Sequence, residues 1–84
     1  MSGTTWQVKQ VHYQWIKFVQ VDSPRRTQIW SCRNLRSDDE LGVVQWYGPW
    51  RQYCFLAKTG VVFSAGCLKD VQTFIENLME ARKK

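Results

Sequence analysis

A chain of 84 residues with a formal charge of +5 has room for one small domain and one core. Leu, Ile, Val and Phe make up about a quarter of it, which excludes a disordered chain. No apolar run reaches membrane-spanning length and no signal-peptide core opens the sequence, so the expectation is a cytoplasmic protein with no membrane span.

Residues 1–9 read as a frayed terminus, polar apart from Trp6 and Val8. Residues 11–21, VHYQWIKFVQV, read as one strand, dense in β-branched and aromatic residues and free of Gly and Pro. Its alternation is imperfect. Ile16 and Phe18 share one face, and Tyr13, Trp15, Lys17 and Val19 share the other, as in a central or bulged strand. Asp22-Ser23-Pro24 ends it, and Arg25-Arg26 read as a solvated loop tip. Residues 28–33 form a second strand, with Trp30 a core position beside Cys32 and with Ile29, Ser31 and Arg33 opposite. Residues 34–40 are a charged loop.

Residues 41–55, LGVVQWYGPWRQYCF, read as a β-hairpin turning at Gly48-Pro49. A two-residue loop there sets Tyr47 opposite Trp50, Trp46 opposite Arg51, Val44 opposite Tyr53 and Gly42 opposite Phe55. Side-chain alternation then gives two unlike faces. Leu41, Val43, Cys54 and Leu56 suit a core, whereas Val44, Trp46, Arg51, Tyr53 and Phe55 make an outward aromatic surface with a guanidinium in it. Thr59-Gly60 marks another turn, and residues 61–63 are a short fifth strand or an extended link.

Residues 64–82 read as a helix capped by Ser64. Its apolar stripe is Leu68, Val71, Ile75 and Leu78, widened by Phe74 and Met79. Residues 11–63 and 64–82 together make one α+β domain, a single antiparallel sheet of four to five strands with one helix packed on one face. One helix covers one face, so the other meets water, a second subunit or a ligand.

The chemistry points to binding rather than catalysis. Cys32, Cys54 and Cys67 form no CxxC pair and His12 is the single histidine, so no zinc site is expected and the thiols read as free. Asp38-Asp39-Glu40 reads as a solvated loop, and no phosphate-cradling Gly-rich loop is present. No enzyme, cofactor or metal is therefore expected. Exposed rings and cations are what single-stranded nucleic acid requires. Trp46, Tyr53 and Phe55, extended by Trp15 and Tyr13, would stack bases, while Arg51, Lys17, Arg33 and Lys58 track phosphates. The pI of about 9.4 favours such a partner, although without Arg82, Lys83 and Lys84 the charge is only about +2. The same residues equally suit cross-strand pairs that only stabilise the sheet, a homodimer seam, or a surface docking on a host or defence protein.

The run WYGPWRQYCF within residues 41–55, followed by Val62-Phe63, Gly66-Cys67-Leu68-Lys69-Asp70 and Phe74-Ile75, resembles a family of small bacteriophage and prophage proteins. The resemblance covers residues 41–79. It implies phage or prophage origin and action in a bacterial cytoplasm, and brings no catalytic or binding residues with it. At fold level the order of strands then one helix is also similar to coactivator-like and Whirly-type single-stranded DNA binders.

Overall fold

The computed structural model describes residues 9–83. Five strands follow one another as a meander in the order β1-β2-β3-β4-β5, each antiparallel to the next. They are β1 (Gln10–His12), β2 (Ile16–Val21), β3 (Ile29–Asn34), β4 (Glu40–Tyr47) and β5 (Gln52–Ala57), and the helix α1 (Ala65–Arg82) closes the chain. The expected α+β architecture is present. The reading of residues 1–9 as frayed lies, apart from Lys9, outside the described residues, and the Lys9 carbonyl accepts from the Gln20 amide at 2.9 Å.

The strand expected over residues 11–21 is two strands. The chain reverses at residues 13–15, where the Tyr13 amide donates to the Ile16 carbonyl at 2.8 Å and Val11 pairs with Phe18. No Gly or Pro marks this turn. It is held by Tyr13, whose ring meets Phe18 edge-on at 5.8 Å, while Trp15 stands 51% exposed at the tip. The broken alternation noted in the sequence is this reversal. Residues 61–63 are accordingly an extended link, not a fifth strand.

The second hairpin turns more widely than a two-residue loop. Gly48–Trp50 form one turn of 3₁₀ helix, and Arg51 follows in the left-handed region at φ 53°. Pro49 favours such a turn because its ring fixes φ. The register moves by two residues, so Trp46 pairs with Tyr53 and Val44 with Phe55. An even shift keeps parity, and Val44, Trp46, Tyr53 and Phe55 still share a face.

That face is the one beneath α1, which reverses the expected orientation of the hairpin. The core comprises Ile16, Phe18, Trp30, Cys32, Val44 and Tyr53 from the sheet, with Val71 and Phe74 from the helix. Phe74 lies parallel to Phe18 at 4.0 Å between ring centres and meets Trp30 edge-on at 5.1 Å. Burying each such ring contributes about 1.5–3 kcal/mol. The helix stripe is the expected one apart from Leu68: Val71 and Phe74 are buried, Ile75, Leu78 and Met79 pack against the core, and Leu68 is exposed. Ser64 caps the helix as expected, accepting from the Cys67 amide at 3.2 Å.

Gly42 lets the rings close over the sheet. A Cβ there would lie 2.6 Å from the Leu56 carbonyl oxygen and 2.6 Å from Phe55 Cζ. Gly48, by contrast, has no atom within 4 Å of a built Cβ. Gly42→Ala should therefore destabilise the fold by about 1–3 kcal/mol, with Gly48→Ala within about 0.5 kcal/mol of wild type. Urea melts of both variants test this, and equal midpoints would refute the role assigned to Gly42.

Candidate nucleic-acid interface

The meander gives the sheet two ends with different chemistry. One end gathers the turn at residues 13–15, the β3–β4 loop, the link after β5 and the start of α1. The opposite end gathers the β2–β3 loop, the Gly48–Trp50 turn and the C-terminus of α1.

The expected site residues divide between these ends. Lys17, Arg33, Lys58 and Trp15 lie at the first, where the cations are already engaged. Lys17 Nζ is 3.1 Å from Asp38, Arg33 is 3.5 Å from Asp38, and Lys58 is 3.2 Å from Glu40. The Arg33 guanidinium also donates to the Asp38 carbonyl at 2.7 Å. Ser31, buried on the sheet face away from the helix, donates to Glu40 at 2.6 Å. The Ser31 hydrogen bond holds the Glu40 carboxyl below the ordinary glutamate range, with Lys58 and then Arg33 adding to the shift against desolvation. Asp38 is lowered too, first by its hydrogen bond from Lys17.

Trp46, Tyr53 and Phe55 are not an open platform. Tyr53 is 4% exposed, its hydroxyl accepting from the Gln28 amide at 3.0 Å and its amide donating to Met79 Sδ at 3.4 Å. Phe55 meets Phe63 edge-on at 5.3 Å. Trp46 packs edge-on against Tyr53 at 5.4 Å, with the Arg82 guanidinium 4.1 Å over its ring. The rings go inward because aromatic area fills the gap between a helix and a twisted sheet better than the smaller Val43 and Cys54 side chains do.

What the second end does present is a different set of residues. Trp50 is 67% and Tyr47 40% exposed, paired edge-on at 5.2 Å at the hairpin tip. Arg51 is exposed and follows Trp50 in the chain, with its backbone in the left-handed region. Pro24, Arg25, Thr27, Ile29, Gln45 and Trp46 line a pocket of about 190 Å³. Arg26 adjoins it in the same loop, and Arg82 and Lys83 arrive from the helix. Asp22 and Glu80 are the carboxylates nearby in sequence, and Glu80 lies 3.8 Å from Lys83. Among the described residues, Arg25, Arg26, Arg51 and Arg82 make no salt bridge. Lys17, Arg33 and Lys58 are thus paired at one end, where Arg36 and Lys69 make no salt bridge among the described residues, and four guanidinium groups without a salt bridge gather near exposed rings at the other.

Arg25-Arg26, which read from the sequence as a solvated tip, belong to this end, together with Tyr47, Trp50 and Arg82, which are not among the expected site residues. The available signal was topological: in a meander, every second loop falls at the same end of the sheet. The Cys32 thiol is buried in the core and pushed up to about 12 by desolvation. Among the described residues, no three His, Cys, Asp or Glu side chains converge as metal ligands.

The chain is 33% identical over 78 residues to an uncharacterised 9.3 kDa protein of Acholeplasma phage L2, covering 92% of this chain and 97% of the phage protein. No family model and no solved structure matches.

Because the Glu40 carboxyl titrates lower in the folded chain than in the unfolded one, its contribution to stability is full at neutral pH and lost as pH falls. Glu40→Gln should flatten the decline in unfolding free energy between about pH 5 and pH 3. Urea melts across that range check this, and an unaltered slope would rule it out.

Proposed function

Proceeding from the fact that the chain belongs to the family of this small phage protein, we propose that it is a non-enzymatic protein that binds nucleic acid, single-stranded in preference, at the basic aromatic end of its sheet. One observation carries this reading: Arg25, Arg26, Arg51 and Arg82, none in a salt bridge, belong to the end of the sheet that presents Trp46, Tyr47 and Trp50, with Arg25 lining a pocket beside Trp46 and Arg82 over the Trp46 ring. Guanidinium groups hold phosphates, and an exposed ring stacks a base for about 1–3 kcal/mol. The hairpin tip offers Trp50 and Tyr47 for stacking, and the pocket beside Trp46 has room for one planar base. Arg82 also complements the helix dipole and packs on Trp46, so part of its role is structural.

Single-stranded targets follow from the size of this end. Its rings and cations span a sheet edge rather than a long helix that could enter a duplex groove, and unpaired bases have free faces for Trp50. Cytoplasmic action in a bacterial host fits this reading, and no helix of the described residues is long and apolar enough to cross a membrane.

Fluorescence anisotropy with labelled oligonucleotides at low salt tests the proposal. Binding should occur at tens of micromolar or tighter, fall steeply with salt, and weaken at least about tenfold in Arg25→Glu and in Arg51→Glu. Trp50→Ala should weaken binding with little change in salt slope, and Lys69→Ala, on the first turns of α1, should leave it unaltered. No binding at about 50 μM, or binding indifferent to Arg51, refutes the proposal. Salt-insensitive binding of a host or defence protein that is lost in Trp50→Ala would put a protein partner in place of nucleic acid.

A further inference from the structure

The sheet face away from α1 is apolar across its middle. Parity puts Gln10 and His12 of β1 on it, with Lys17, Val19 and Val21 of β2, Ile29, Ser31 and Arg33 of β3, Val43 and Gln45 of β4, and Cys54 and Leu56 of β5, and a bulge opposite Cys32 and Arg33 brings Glu40 to it as well. Register aligns these into rows. Gln10, Val19, Ser31, Val43 and Leu56 cross the centre, and Val21, Ile29, Gln45 and Cys54 run beside them towards the basic end. Lys17, Arg33 and Glu40 form the charged row at the other end. No element of the described residues covers this face, and Val21 and Leu56 stand 42% and 45% exposed. A one-sided antiparallel sheet ordinarily turns polar side chains to water; here the two central rows are mostly aliphatic.

We infer that a second copy of this chain covers the face, with the twofold axis running along β3. Strand β3 is the middle of the five, so rotation about it exchanges β2 with β4. Lys17 of each copy, keeping its own Asp38, then meets Glu40 of the other, which keeps its own Lys58 and Ser31. Val19 meets Val43, Val21 meets Gln45, Leu56 meets Gln10 of β1, and Ile29 and Ser31 meet their own counterparts on the axis. Arg33 also lies on the axis, with its own Asp38 carboxylate 3.5 Å away to offset the like charge. A twofold across the strands would instead set the charged row against Val21 and Ile29, burying ions on aliphatic side chains. Charge order therefore selects the axis. Size is consistent with it. Strands about 4.8 Å apart and residues rising about 3.3 Å give a face of about 480 Å² in projection. Side-chain relief raises the accessible area towards the about 800 Å² per partner of a standard interface. Sheets paired in this way pack about 10 Å apart at a shallow angle. The seam is independent of what the basic end binds, but it would bring both basic ends to the same side of the dimer.

Sedimentation equilibrium from about 5 to 200 μM tests the inference. Wild type should approach twice the 10.0 kDa chain mass. Val43→Lys, at the centre of the face, and Leu56→Lys, already solvent-exposed and so tolerant of charge, should each weaken dimerisation at least tenfold with unchanged far-UV circular dichroism. Lys17→Glu should weaken it too, and adding Glu40→Lys should recover it. A wild type that stays monomeric throughout, or a dimer that Leu56→Lys leaves intact, overturns the seam. Failure of the charge exchange to recover association overturns its orientation.

Discussion

The contact between Phe74 and Phe18, with Trp30 set edge-on against it, decides which way this molecule faces. A single helix can bury one side of a meander, and the side it takes is the one whose side chains complement its own ridge. Phe74 and Val71 need large flat partners across a twisted sheet, and Phe18, Trp30, Tyr53 and Trp46 supply them. Gly42 belongs to the same constraint, because the Phe55 ring occupies the space that any side chain there would need. Once the aromatic side is committed to the helix, the aliphatic side is left bare, and the polar chemistry moves to the ends of the strands.

Much of the architecture was legible in the chain. The 3.6-residue spacing and Ser64 place the helix, Trp30 and Cys32 fall in the core as read, and the pairing of Val44, Trp46, Tyr53 and Phe55 on one face survives the change of register. What alternation cannot supply is the sign of the face. Leu41, Val43, Cys54 and Leu56 look like a core by hydropathy; Leu41 does pack against it, at a bulge opposite Cys32 and Arg33, but the shape of the helix partner sends the rings inward in place of the other three. The reversal at residues 13–15 was hidden for a related reason. Its turn carries no Gly or Pro, and the local signal of a long β-rich run was overruled by the pairing of Val11 with Phe18.

The candidate site was less legible because it is assembled from separate loops. Arg25, Arg51 and Arg82 are far apart in sequence, and each alone has an ordinary explanation as a loop tip, a turn or a helix end. Their meaning comes from the order of the strands, which delivers all three to one end while Asp38 and Glu40 hold Lys17, Arg33 and Lys58 at the other. Net charge understates this arrangement, since the body of the chain is only mildly basic. The gathering of four unpaired guanidinium groups beside exposed rings at one end is what gives the molecule a direction.

The strand order also has a kinetic side. Every strand pairs with its immediate predecessor, so the sheet can zip one hairpin at a time without waiting for remote segments to meet. Docking of α1 is the exception, because Phe74 must find Phe18 near the other end of the chain. The ribbon of hairpins is thus the part that can form early, and the helix is the latch that closes late. A nascent chain emerging from the ribosome would carry a nearly complete but one-sided sheet until the residues of α1 followed.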